Sequence, residues 1–460
     1  MSATRPSPEA LTRATHKMRE AGVSPAAIGA FEYYFEQLAS GNAGVVPESE
    51  IEPLTELPRL DDVEVDEEAA REALARTVVI KLNGGLGTSM GMTKAKTLLQ
   101  VRDGMTFLDI IVEQVRKARQ TYGVTLPLLF MNSFNTHDDT LEALGAHPDI
   151  AVDGLPLDFV QSQEPKLDAE TLEPVEWPAD PKLEWCPPGH GDLYPSLLDT
   201  GILERLLDAG YRYATVTNAD NLGASPDPRL AGWFAATGAP FAMEVCRRTD
   251  MDRKGGHLAV RRSDGQIVLR ESAQTAPQDK EFFADIDRHP YFNTNSLWLD
   301  VQQLHDHLQA HQGVLGLPMI RNTKTVDPTD PSSPEVIQIE TAMGAAIEVF
   351  PGSQAIEVPR DRFLPVKTTN ELLLVRSDVY ELTGDGLLQA QAAPAPVVRL
   401  DPAVYARIAD FEARFGHGIP SLRKASALTV EGEWTFGPDV TVIGEAHLQG
   451  RGFVTGTVGG

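Results

Sequence analysis

Apolar positions recur along the chain with two periods, and their alternation predicts an architecture. Near the N-terminus, Ile28, Phe31, Phe35 and Leu38 fall on one helical face. Ser24-Pro25 supplies an N-cap and a first-turn residue ahead of them, and Gly41 ends the run. Residues 42–75 are acidic and contain proline, which reads as a surface arm leading to a short helix over 67–75. The whole segment 1–75 reads as a helical packing or assembly element. From 76 to about 380, short apolar runs alternate with amphipathic stretches. Strands are predicted at 127–131, 158–161, 213–217, 240–246 and 292–299, after the β-branched run 77–80. Helices are predicted at 201–209 and 301–310. Another opens at Thr106, where Asp109 makes an acidic variant of the capping box ahead of Phe107, Leu108, Ile111, Val115 and Ala118. Such alternation predicts an α/β fold with a mostly parallel sheet covered on both faces. Ligands then lie beyond the carboxyl ends of the strands. A hairpin around Asp264-Gly265 interrupts the pattern.

After 380 the pattern changes. Residues 384–396 are rich in Gly, Ala, Gln and Pro and read as a linker, so the α/β domain is set at 76–383 and a last domain at 397–460. In that last domain, alternating apolar residues are punctuated by Gly432, Gly437 and Gly444. They predict short strands with tight corners, as in a small β-solenoid, with a simple β-meander as the alternative.

Composition narrows the function. The chain has 460 residues, enough for two or three domains, and a net charge of −26. That excess of negative charge argues against broad binding to nucleic acid or anionic membranes, while leaving room for a local basic pocket. Two cysteines, Cys186 and Cys246, give no disulfide framework, which fits a reducing, cytoplasmic setting. No signal peptide is read at the N-terminus, and no apolar run reaches the roughly 18 residues of a membrane span.

The candidate chemistry sits where the predicted strands end. KLNGGLGTSMG at 81–91 follows the first strand, with glycines at 84, 85, 87 and 91 and lysines at 94 and 96. Glycine lets a backbone approach a ligand with no Cβ in the way, and the N–H groups of such a loop suit phosphate or a base edge. An ordinary glycine-rich turn is the plainer reading. Gln161 and the loop PPGHGD at 187–192 form a second cluster, in which His190 can donate to phosphate or hydroxyl, or simply sit satisfied in a turn. Asn218 and Asp220 follow the strand at 213–217 and place a carboxylate well for Mg²⁺, or begin an Asp-Asn turn. Arg360, Arg362 and Lys367 make a cationic stretch interleaved with Phe363, Leu364 and Val366. Together these suit nucleotidyl transfer, in which positioning and electrostatics do most of the catalysis. The glycine loop has neither the P-loop nor the dinucleotide-fingerprint spacing.

The motifs then identify a family. The chain resembles the eukaryotic-type UTP–glucose-1-phosphate uridylyltransferases through KLNGGLGTSMG at 81–91, TFLDI at 106–110, MNSFNT at 131–136, PPGHGD at 187–192, DNLGA at 220–224, KGG at 254–256, FNTN at 292–295, QIETAMGAA at 338–346 and RFLPVKTT at 362–369. The resemblance implies a Rossmann-like nucleotide-diphospho-sugar transferase domain, an N-terminal helical segment and a C-terminal left-handed β-helix. It implies formation of UDP-glucose and pyrophosphate from UTP and glucose 1-phosphate, with Mg²⁺ as cofactor. By position, Leu82, Asn83, Gly84 and Gly85 match the uridine-binding stretch, and Lys96 the lysine on the UTP phosphates. Gln161 and Gly189 match uracil contacts, and His190 a sugar-phosphate contact. Asn218 and Asp220 match the ribose or sugar and Mg²⁺ positions, and Lys367 the basic residue on the reacting phosphates. Asn295 and Glu340 are candidates for the glucose hydroxyls. The resemblance leaves a homo-oligomer open. The same chemistry on galactose 1-phosphate or N-acetylglucosamine 1-phosphate, or a nucleotide-sugar-binding protein without catalysis, are the alternatives. The sequence departs from the family pattern in three places. Ala95 stands where the family has proline, Cys186 stands where an aromatic residue is common, and the β-structure stops soon after Gly450.

Overall fold

The computed structural model describes residues 8–41 and 44–460, so the first residues of the N-terminal segment and two residues of the acidic arm lie outside the described residues. Two compact units divide the chain: Met1–Ile80 with Val152–Val216 and Pro228–Val358, and Lys81–Ala151 with Thr217–Asp227 and Pro359–Gly460.

The first unit opens with helices Pro8–Glu20 and Pro25–Ala39. Ser24 Oγ accepts from the Ala27 N–H at 3.1 Å, and Ile28, Phe31, Phe35 and Leu38 are buried, as the pattern predicts. Its sheet is mixed. Phe241–Arg247 runs antiparallel to Tyr291–Asp300 and parallel to Gln354–Glu357. The hairpin His257–Arg261 with Ile267–Arg270 pairs beside Tyr291–Asp300, also antiparallel. On the other side of Tyr291–Asp300 the order continues through Tyr213–Asn218 and Thr77–Asn83. The sheet expected to be mostly parallel therefore carries an antiparallel flank around Tyr291–Asp300. The acidic arm is also more than surface. Ile51–Pro53 adds a strand to His257–Arg261. Glu48 is buried on Arg270 (2.6 Å) and Arg288 (2.6 Å), which is how a carboxylate is tolerated there. A separate sheet pairs Met319–Thr325, Glu335–Thr341 and Leu167–Asp168.

In the second unit, the capping box holds as read: the Thr106 N–H donates to Asp109 Oδ2 (2.8 Å), and the Asp109 N–H donates to Thr106 Oγ1 (3.2 Å), opening the helix Phe107–Tyr122. Leu128–Asn132 is fully buried. The stretch read as a linker contains Leu388–Ala390, which pairs antiparallel with Tyr380–Leu382. At the end, Val397–Leu400, Ser421–Phe436, Thr441–Val454 and Thr457–Gly459 form a parallel sheet. Gly432 sits at φ +92°, and a Cβ there would collide with the Gly450 carbonyl of the next strand. Among the described residues no helix is long and apolar enough to cross a membrane, and Cys186 and Cys246 are buried thiols outside any disulfide.

Candidate active site

The glycine loop in the second unit is held from below and open above. The Asn83 side chain donates to Asn132 Oδ1 (2.8 Å) and Thr140 Oγ1 (2.8 Å), and accepts from Thr97 Oγ1 (2.9 Å). It therefore anchors the strand end, and any contact it makes to a ligand comes from its backbone. Ser133 Oγ donates to the Gly84 carbonyl at 2.9 Å, and the Lys96 N–H donates to the Gly85 carbonyl at 3.1 Å. A Cβ on Gly85 would meet nothing within 4 Å. Gly87 and Gly91, at φ +66° and +71°, turn the chain around Thr88–Met90. Ala95, where the family has proline, has φ −52° and ψ 129°, and its N–H donates to Asp139 Oδ2 at 3.2 Å. A hydrogen bond thus fixes the backbone where a ring would have. Leu82 accepts from the Ala219 N–H at 3.0 Å, which ties the glycine strand to the turn that carries Asp220.

That turn gathers the predicted cations. Lys96 Nζ lies 2.6 Å and Lys367 Nζ 3.2 Å from Asp220 Oδ2, and Lys96 also donates to the Val366 carbonyl. Burial alone would push the Asp220 carboxyl up, but the charges of Lys367 and Lys96 outweigh it and hold the group below the usual carboxylate range. Asp220 Oδ1 is buried without a hydrogen-bond partner. Below the turn, Lys81 is buried and donates to Thr217 Oγ1 (2.7 Å) and the Ala224 carbonyl (2.9 Å). Asn218, half-buried, ends the strand Tyr213–Asn218 and accepts from the Asn221 N–H at 3.1 Å.

The remaining candidates lie in the first unit. Gly189 sits at φ +81°, and a Cβ there would come 2.6 Å from the Thr341 carbonyl oxygen, so only glycine lets this loop lie against Glu335–Thr341. The Thr341 N–H donates to the Pro188 carbonyl at 2.9 Å. His190 Nδ1 accepts from the Met343 N–H at 3.0 Å, which leaves the proton of the neutral ring on Nε2, where it can be donated. Gln161 follows Asp158–Val160, and the next residue is clamped: the Ser162 N–H and Oγ donate to the Asp192 carboxylate, each at 2.6 Å. Burial pushes the Asp192 carboxyl up to about 6, against the pull of those bonds. Glu340 pairs with Lys324 at 3.4 Å. Asn295 takes φ +55°, unusual for a non-glycine residue, and exchanges hydrogen bonds with Asn293 (2.8 and 2.9 Å) in the strand that slips register at Glu244/Val245. Asp192, Ser133 and Asn221 were not singled out from the sequence. Each makes at least one bond to a partner 30 or more residues away, which no local spacing reveals.

An ionised carboxylate under two ammonium groups, beside a backbone cradle, is arranged to handle a polyphosphate. Among the described residues no group of three or more His, Cys, Asp or Glu side chains could hold a metal. A metal at Asp220 would then take its remaining ligands from substrate phosphates and water, a habit of Mg²⁺.

Known proteins are similar to this chain over most of its length. The family model described as UTP–glucose-1-phosphate uridylyltransferase matches residues 28–443. A protein of that name from Solanum tuberosum is 39% identical over 412 residues, covering 88% of this chain and 82% of that protein. One from Encephalitozoon cuniculi is 36% identical over 431 residues, covering 93% and 84%. A crystal structure of a mutant Leishmania major UDP-glucose pyrophosphorylase in complex with UDP-glucose superposes with a TM-score of 0.90 at 42% identity, covering 98% of both chains. A Trypanosoma brucei structure titled UDP-glucose phosphorylase gives 0.89 at 40%, again covering 98% of both.

Proposed function

The chain belongs to the UTP–glucose-1-phosphate uridylyltransferase family, and from that premise we propose the part each residue takes in the reaction. The enzyme forms UDP-glucose and pyrophosphate from UTP and glucose 1-phosphate. A phosphate oxygen of glucose 1-phosphate attacks the α-phosphorus of UTP in line, the bond to the bridging oxygen breaks, and pyrophosphate leaves. The reverse runs through the same transition state.

Leu82, Asn83, Gly84 and Gly85 offer backbone groups to the uridine, with Gln161 and Gly189 reading the uracil edge. Lys96 and Lys367 hold the reacting phosphates. Their shared grip on Asp220 Oδ2 is the observation that supports this reading: two cations meet at one carboxylate, and phosphate charge would take its place. His190 donates Nε2–H to the sugar phosphate. Asn218 serves the ribose or sugar, and Asn295 and Glu340 serve the glucose hydroxyls. Mg²⁺ suits Asp220: the carboxylate is ionised and its Oδ1 lacks a partner. When bound there, the ion would neutralise phosphate charge.

The division into a helical segment (1–75), a Rossmann-like catalytic domain (76–383), a linker (384–396) and a left-handed β-helix (397–460) is part of the same proposal. It is supported by the capped helices and the parallel C-terminal sheet. A cytoplasmic setting is supported by the two buried cysteines, neither in a disulfide. The substrates are small molecules, with neither nucleic acid nor membrane as partner.

A pyrophosphate-release assay over a matrix of nucleoside triphosphates and sugar 1-phosphates tests the substrate assignment. Turnover is expected with UTP and glucose 1-phosphate. Strong turnover with galactose or N-acetylglucosamine 1-phosphate and none with glucose 1-phosphate would overturn it. Lys367→Ala and Asp220→Ala are each expected to lower kcat by at least about 10²-fold, and near-normal rates in both would remove the proposed site.

A further inference from the structure

Lys367 raises a problem of placement. Its side chain is 59% exposed, and it follows a segment, Pro359 to Val366, that contains only the short turn Arg360–Arg362 and no strand. A long, flexible amine cannot aim at a phosphate unless its backbone is fixed. Besides the bond from Lys96 to the Val366 carbonyl, the fixing comes from one turn, DNLGA at 220–224. The Asn221 side chain is buried, and its amide uses both ends on this segment: Nδ2 donates to the Arg362 carbonyl at 3.1 Å, and Oδ1 accepts from the Leu364 N–H at 2.8 Å. Oδ1 also accepts from the Gly223 N–H at 3.2 Å, which locks the side chain to its own turn. The backbone completes the seat, with an isolated bridge between Asn221 and Pro365 and the Val366 N–H on the Asp220 carbonyl at 3.2 Å. Gly223 admits the segment: a Cβ there would collide with the Asp361 carbonyl and lie 2.8 Å from the Arg362 carbonyl carbon.

We propose that Asn221 is a positioning residue for the uridylyl transfer, acting through Lys367. By reading two backbone groups of the Lys367 segment, it registers that lysine against the carboxylate of its own neighbour, Asp220. The two groups that must face each other across the phosphates are thereby referenced to one turn. Arg362, whose guanidinium donates to the Ser225 carbonyl at 3.2 and 3.3 Å, braces the far end. Asn221 touches no reacting atom. Its removal should loosen Lys367 while leaving the uridine cradle intact, so the loss should fall on kcat rather than on substrate affinity.

The inference rests on the role assigned to Lys367 above, and a double-mutant cycle separates the two. Steady-state kinetics would compare wild type, Asn221→Ala, Lys367→Ala and the double variant, with melting temperatures as a check on folding. Asn221→Ala is expected to lower kcat about 30- to 100-fold, the scale of an ångström-level misplacement, with KM for UTP and glucose 1-phosphate within about threefold. In the Lys367→Ala background the same change is expected to cost less than about threefold, because the lysine it serves is gone. Equal losses in both backgrounds would overturn the inference and leave Lys367 in place, as would an Asn221→Ala enzyme with a normal kcat. A normal kcat in Lys367→Ala alone would overturn the reading of Lys367 and the inference with it. Should Asn221→Ala not fold, Asn221→Ser, whose hydroxyl keeps part of the bonding, takes its place in the cycle under the same criteria.

Discussion

Two aspartates, both largely withdrawn from solvent, are driven in opposite directions by what surrounds them. Asp220 has two lysines and stays ionised, while Asp192 has only hydroxyl and amide donors, and burial pushes it up to about 6. The sign of the consequence for Asp192 follows from linkage. Between its ordinary value near 3.8 and about 6, the folded chain binds more protons than the unfolded one, so this group's contribution to stability falls as pH rises through that window. Asp192→Asn, which cannot ionise, is expected to shift the slope of the urea midpoint against pH between about 4 and 6 in the positive direction. An unchanged slope would mean that the carboxyl stays ionised there. At this scale the motifs are legible in the sequence, but the contacts their side chains make are not. Asn83 sits in the stretch proposed for the uridine, yet its side-chain amide is engaged by Asn132, Thr140 and Thr97. Nothing local announces those partners. Ala95 shows the reverse: it departs from the family pattern, and Asp139, 44 residues on, supplies a restraint on its backbone.

Helices and strands were the most legible elements, because their signals are local. Val301–Ala310 and Glu67–Ala75 fall where periodicity and capping put them. The Thr106 and Ser24 caps close the hydrogen bonds their spacing implied. Thr106→Ala and Ser24→Ala are each expected to destabilise the protein by about 1 kcal/mol, measured by denaturant unfolding. Removing the cap at Thr106 should also weaken the return bond from Asp109, so it is expected to cost the more of the two. Non-local pairings were not legible. The partner strands Met319–Thr325 and Glu335–Thr341 carry polar residues on the exposed side and lack a long apolar run. The hairpin Tyr380–Leu382 with Leu388–Ala390 lay hidden in a stretch whose glycine and alanine content reads as linker. The seat on Asn221 joins positions 143 residues apart in the chain.

Over the whole molecule, the charge of −26 sets a background against which the local cations work. Attractive pairs such as Arg116–Asp149, at 2.8 Å, are in contact, while the repulsion among excess carboxylates acts at longer range. Salt screens the longer interactions first. Raising NaCl from about 10 mM to about 200 mM, which shortens the screening length from about 30 Å to below about 10 Å, is therefore expected to raise the melting temperature. A fall would mean that contact pairs outweigh the net repulsion. The same background opposes the approach of UTP, so the binding of triphosphate is expected to tighten over the low end of that salt range, before screening of Lys96 and Lys367 reverses the trend. Isothermal titration at several salt concentrations would show a maximum, and a monotonic decline would show that the local cations dominate throughout.

The buried Lys81 ammonium has one more consequence. It is 1% exposed and donates to Thr217 and the Ala224 carbonyl, at the start of the strand end that leads into the glycine loop. An amine shut away in this manner cannot be acylated until the strand end opens. Under a slow amine-reactive label, surface lysines would be modified within the first exposure, and Lys81 only at the rate of that opening. Its modification, followed by mass spectrometry with and without UTP, would clock the breathing of the nucleotide cradle from inside.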